Sequence, residues 1–218
     1  MAQQNYLVSS WQGLIQLLVN LCGKGYYYYH ITELPVNKKS KWGDIDAKFI
    51  GKYQTDKNKW QRHRQKRKGI ANFYYLRWEH LVLVLHTEGM VPREFLYDDK
   101  FSDIRRSPVF LKISDLSAFE IQIVDKKVSV TLSRDTYRGL KDMLYNVAKT
   151  KNKYKMKQTF NLINGFPAYK GVLGQKNQLA EYLVAQAKKN GILLKRIELR
   201  FNTKLRTLKN YDESEEGN

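Results

Sequence analysis

Residues 70–78 read I-A-N-F-Y-Y-L-R-W, and residues 80–86 read H-L-V-L-V-L-H. β-Branched and aromatic residues dominate both stretches, and apolar side chains occupy odd and even positions alike. A strand with one wet face would alternate apolar and polar. These do not, so both faces must be covered, which predicts two strands at the centre of a sheet. Upstream, G25-Y-Y-Y-Y-H-I-T-E-L-P35 is a further β-rich run. Alternation would put Tyr27, Tyr29 and Ile31 on one face and Tyr28, His30 and Thr32 on the other, with Pro35 ending the strand. Downstream, F110-L-K-I, A118-F-E-I-Q-I-V and V128-S-V-T-L form a second β region, in which D125-K-K turns the last two into a hairpin.

Helical spacing surrounds these strands. Trp11, Leu14, Ile15, Leu18 and Leu21, with Leu7 ahead of them, line one face of a helix that Gly23 stops. Trp42, Ile45, Phe49 and Tyr53 mark a second helix. Ser133 is a natural N-cap for a third, running through Tyr137, Leu140, Leu144 and Ala148. A fourth is expected over about 175–189, after a loop holding Gly171 and Gly174 and before Asn190-Gly191. A last strand would alternate Ile197, Leu199 and Phe201 against Arg196, Glu198 and Arg200. The order predicts an α+β fold, mostly antiparallel, with about four to five helices. It forms a single domain over 1–211 or two subdomains, 1–108 and 109–211. A disordered acidic tail follows over 212–218.

Between the second helix and the central strands lies K57-N-K-W-Q-R-H-R-Q-K-R-K68, with seven Lys or Arg and no acid. Its Gln, Lys and Arg content favours helix, with Trp60 as the expected anchor to the body. Like charges this close repel, so folding alone does not reward the arrangement; an anionic partner does. The whole chain carries 39 Lys+Arg against 21 Asp+Glu, a net +18, although Asp212, Glu213, Glu215 and Glu216 crowd the final residues. A second cluster, K149-T-K-N-K-Y-K-M-K157, adds five lysines.

These features predict a nucleic-acid-binding protein, with RNA or single-stranded DNA slightly favoured, rather than a membrane-bound one. The expected phosphate contacts are Lys57, Lys59, Arg62, His63, Arg64, Lys66, Arg67, Lys68 and Arg77. Lys149, Lys151, Lys153, Lys155 and Lys157 extend that set. Trp60 and exposed members of Tyr26–Tyr29 or Phe73–Trp78 are candidates to stack on bases.

Residues 6–22 are too polar for a spanning helix, the N-terminus lacks signal-peptide features, and Cys22 is the one cysteine; a cytoplasmic protein is expected. A zinc module is excluded on that cysteine count, and no cofactor is expected.

Two alternatives stand beside simple binding: a nuclease of a mobile element or RNA-processing system, and a non-enzymatic subunit of a ribonucleoprotein or replication assembly. His30, His63, His80 and His86 are candidate general bases for metal-independent RNA cleavage. His80 and His86 cannot share a metal, because six strand residues put them roughly 20 Å apart. Asp44, Asp46 and Lys48 form D-x-D-x-K, which resembles part of a restriction-type nuclease core and would imply Mg2+. In that family the acidic-x-Lys pair lies on a strand; here it has helical spacing. Glu88, Glu94, Asp98, Asp99 and Asp103 form a second acidic group that can equally pair with the surrounding cations.

Overall fold

The computed structural model describes residues 6–95 and 99–205. Its contacts divide the chain into two compact units, one reaching to Pro108 and the other built from Val109–Val124 and the segment beginning at Ser129. Among the described residues, six α-helices and two antiparallel sheets make the fold α+β. The expected acidic tail and Asp98 lie outside the described residues.

In the first unit, helix α1 (Trp11–Gly23) precedes strand β1 (Tyr26–Glu33), then come helices α2 (Trp42–Tyr53) and α3 (Lys59–Arg67). Strands β2 (Phe73–Trp78) and β3 (Leu81–Thr87) follow, with the two-residue β4 (Ser102–Asp103) completing a sheet of order β2-β3-β1-β4. Strand β3 is central, and every residue from Leu81 to His86 is buried. Val82 and Val84 join Trp42, Tyr53, Phe73 and Tyr75 in a core on the α2 side. Leu81, Leu83 and Leu85 alternate to the opposite face, the side of α1, which contacts β1 and β2. Cover on both faces explains the missing alternation. Strand β2 is outermost in that order rather than central, but its edge is not bare. Val8 N donates to Arg77 O at 2.8 Å, and Arg77 N to Tyr6 O at 2.9 Å.

The β1 register slips between Tyr26 and Tyr28. That extra residue corrects the strict alternation expected from Tyr27 onward: Tyr26 and Tyr29, three apart, are both buried. Helix α1 is capped by Ser10, whose Oγ accepts from Gly13 N at 3.1 Å. Near its end Cys22 is 1% exposed, and burial pushes its thiol up to about 12, so it is inert at neutral pH.

After Pro108, β5 (Val109–Ser114), β6 (Ser117–Val124) and β7 (Lys127–Leu132) form a three-stranded sheet in sequence order. Asp125 and Lys126 take φ of 48° and 63°, the left-handed pair that a tight hairpin turn demands. Helix α4 (Arg134–Lys149) starts at the expected cap, with Ser133 Oγ accepting from Thr136 N at 3.2 Å. Helices α5 (Lys153–Leu162) and α6 (Lys170–Lys189) pack with it around Leu144, Ala148, Met156, Phe160, Leu179 and Leu183.

Two expectations fail here. Helix α6 begins five residues earlier than 175, so Gly171 and Gly174 are helical rather than looped. A Cβ at position 171 would meet Val130 O at 2.4 Å, so Gly171 is there to let α6 lie against β7. The last strand does not form. Arg196–Glu198 is a 3-10 turn, and Ile197 is 90% exposed. Glu198 Oε1 accepts from Lys195 N at 3.0 Å and also meets Lys153 Nζ, while Oε2 meets Lys157 Nζ, each at 2.8 Å. These contacts curl the segment.

Glu198 gives a pH prediction. Its bonds to Lys153 first, then Lys157 and the Lys195 amide, hold its carboxyl down at about 2, well below the ordinary glutamate value. A depressed carboxyl contributes stability that is present above the unfolded value and lost as pH falls through the folded one. Between about pH 4.5 and 2 the wild type should lose thermal stability faster than Glu198→Gln, followed by far-ultraviolet circular dichroism. Parallel curves would show that the two lysine contacts contribute nothing.

Candidate nucleic-acid interface

Helix α3 is a nine-residue helix with no buried residue. A capping box starts it: Gln61 N donates to Asn58 Oδ1 at 3.0 Å, and Asn58 N to Gln61 Oε1 at 2.8 Å. At its end Gly69 adopts φ 70° and Ile70 N reaches back to Gln65 O at 3.0 Å, a Schellman closure. Arg64, Lys66 and Arg67 fall in the last turn, where the helix dipole favours cations.

Trp60 does not anchor this helix. It is 74% exposed. The anchor is Arg62. Its Nη2 donates to Thr55 O at 2.8 Å, its guanidinium lies 4.8 Å from the Tyr74 ring centroid, and its carbonyl accepts from Asn72 Nδ2 at 3.1 Å. Lys59, His63, Arg64, Lys66, Arg67 and Lys68 are all exposed. Lys57 is half-buried, and burial lowers its pKa although Asp56 opposes the shift. Among the described residues, no ion pair joins any cation of 57–68 to a carboxylate.

Other expected contacts are already engaged. Arg77 is an internal partner, not an open one: its side chain is 12% exposed, with Nε 2.8 Å from Asp46 Oδ1 and Nη2 2.8 Å from Oδ2. In the second unit, Lys153 and Lys157 face Glu198, whereas Lys149, Lys151 and Lys155 are exposed. Lys149 lies over the Tyr145 ring at 4.2 Å. That cluster belongs partly to helix α5, which the sequence reading left unassigned.

The catalytic candidates do not converge. Asp44 is exposed and Asp46 is 0% exposed, since residues two apart on a helix point to different sides. Asp46 also accepts from Tyr75 OH at 2.6 Å; burial first, then Asp46, hold that phenol protonated far above its usual range. His86 is buried between Tyr28, stacked at 4.6 Å, and Phe73 and Phe101, and burial lowers its pKa. His80 sits in the β2–β3 turn, where its carbonyl accepts from Leu34 N at 2.7 Å.

His30 Nε2 lies 3.4 Å from Asp99 Oδ1, and Nδ1 lies 3.1 Å from Lys100 O. Burial works against the Asp99 carboxylate, but Lys52, Tyr53 and His30 together hold its pKa below the ordinary value. Glu88 and Asp103 both pair with Arg105. No group of three His, Cys, Asp or Glu among the described residues is placed to hold a metal.

Beside α3 a groove of about 620 Å³ opens, lined by Lys24, Tyr27, Arg62, His63, Lys66 and Glu88 among others. Lys24 was missed from sequence. It is a solitary cation between Gly23 and Gly25, and only the turn from α1 into β1 brings it to the groove.

Against known proteins, the chain matches no family model, and no curated protein matches it. No helix among the described residues is long and apolar enough to cross a membrane.

Proposed function

We propose that the protein binds nucleic acid through its phosphate backbone, with α3 as the contact surface and single strands preferred to duplex. The observation that carries this reading is the exposed, carboxylate-free set of cations on α3. Exposed like charges at this spacing repel, and phosphates relieve that repulsion while releasing condensed counterions. Trp60, projecting from the same helix, supplies a ring for a base that is not already stacked in a duplex.

The test is fluorescence anisotropy with end-labelled single strands and duplexes across a salt series. Binding should weaken steeply as salt rises, and no binding at low salt would overturn the reading. Trp60→Ala should cost about tenfold in single-strand affinity, the lower part of the range for one lost base stack, and much less on duplex. An equal loss on both would mean that Trp60 contributes something other than stacking.

A further inference from the structure

We propose, resting on the nucleic-acid reading above, that the groove beside α3 receives one unpaired nucleotide, its phosphate against the cations and its base edge against Glu88.

The walls differ in chemistry. Arg62 and Lys66 project from α3 with His63 between them, and Lys24 comes from the α1–β1 turn, so cations reach the groove from two separate segments. Thr87 and Glu88, at the end of β3, supply acceptors. Tyr27 adds a half-buried ring, held by the Arg105 guanidinium 4.6 Å from its centroid. Arg105 Nη1 also donates to Glu88 Oε1 at 2.6 Å, which fixes the carboxylate. A bare phosphate would gain nothing from a carboxylate in its site. A nucleotide would, because its base carries N–H donors while its phosphate carries the charge.

The volume, about 620 Å³, lies within the span of small-ligand sites. Asn72, 5% exposed, lines the groove beside Arg62 and holds that residue's carbonyl through its Nδ2 at 3.1 Å, which fixes this wall.

This polarity makes a choice among bases. Cytosine offers its exocyclic amine to a carboxylate, whereas uracil presents a carbonyl oxygen at the same position. In a duplex each base is held in the stack and cannot enter the groove without being flipped out, so the groove reads unpaired bases.

Short labelled oligocytidylate and oligouridylate of equal length, with a duplex control, test this. Wild type should favour oligocytidylate by about tenfold, and Glu88→Ala should bring the ratio towards one. Gly23 lines the groove, and a Cβ built there meets nothing within 4 Å. Gly23→Phe should therefore fill the mouth without removing a cation. It should weaken oligocytidylate about tenfold and leave duplex affinity, which also reports folding, unchanged.

Equal affinity for the two oligomers in wild type, or no change in either variant, would overturn the groove proposal while α3 binding stands. Loss of all binding in wild type would instead overturn the broader reading and this one with it.

Discussion

Asp46→Ala is expected to destabilise the first unit by about 3–5 kcal/mol, the cost of leaving a buried charge without its partner. Asp46 is fully buried and accepts from both Arg77 and Tyr75. Its loss strands a guanidinium at 12% exposure and a phenol in the core. Against a total stability of about 5–15 kcal/mol, that is a large fraction. Removing both charges should cost far less: in Asp46→Leu with Arg77→Leu, no ion remains to be desolvated, and apolar packing replaces the pair. All four tryptophans, Trp11, Trp42, Trp60 and Trp78, precede Pro108, so tryptophan emission in urea follows this unit alone. If the single and double variants unfold at the same midpoint, the pair is not what holds α2 to the sheet.

The pair also shows where sequence reading stops. Periodicity placed Trp42, Ile45, Phe49 and Tyr53 on one face of α2, and the structure agrees, because burial of apolar surface sets that face locally. Asp46 lies on the buried side of the same helix, but its place in D-x-D-x-K suggested a metal ligand. Only the tertiary contact with Arg77, thirty-one positions away, makes its burial tolerable. The same limit affected Lys153 and Lys157, whose partner Glu198 lies far along the chain and bends the segment that alternation had assigned to a strand.

Helix α5 was hidden for a different reason: its lysines drew the eye to charge, while Asn152 as cap and the Met156–Phe160 spacing were the structural signal. The α4 start at Ser133 and the turn at Asp125-Lys126 were readable because caps and turns are written in a few adjacent residues. The α3 helix was equally legible as helix and as charge. Its orientation was not, since nothing in K57–K68 says that Arg62 rather than Trp60 faces inward.

That orientation sets the size of the remaining prediction. Changing Lys59, Arg64, Arg67 and Lys68 together to Gln removes four exposed cations outside the groove lining and leaves the Arg62 anchor intact. If each meets a phosphate, the single-strand slope of log K against log salt should fall by about 3, at roughly 0.7 per contact. At 0.1 M salt the affinity loss should be on the order of a hundredfold. Stability should move little. Glutamine is nearly as good a helix former as lysine or arginine, and the lost favourable dipole contacts of Arg64 and Arg67 are offset by relief of the like-charge pairs Arg64–Arg67 and Arg64–Lys68. An unchanged melting temperature with a collapsed salt slope would identify these side chains as kept for their partner rather than for the fold. An unchanged slope would mean that the cations of α3 do not touch phosphate, and the contact surface would have to be sought elsewhere on the molecule.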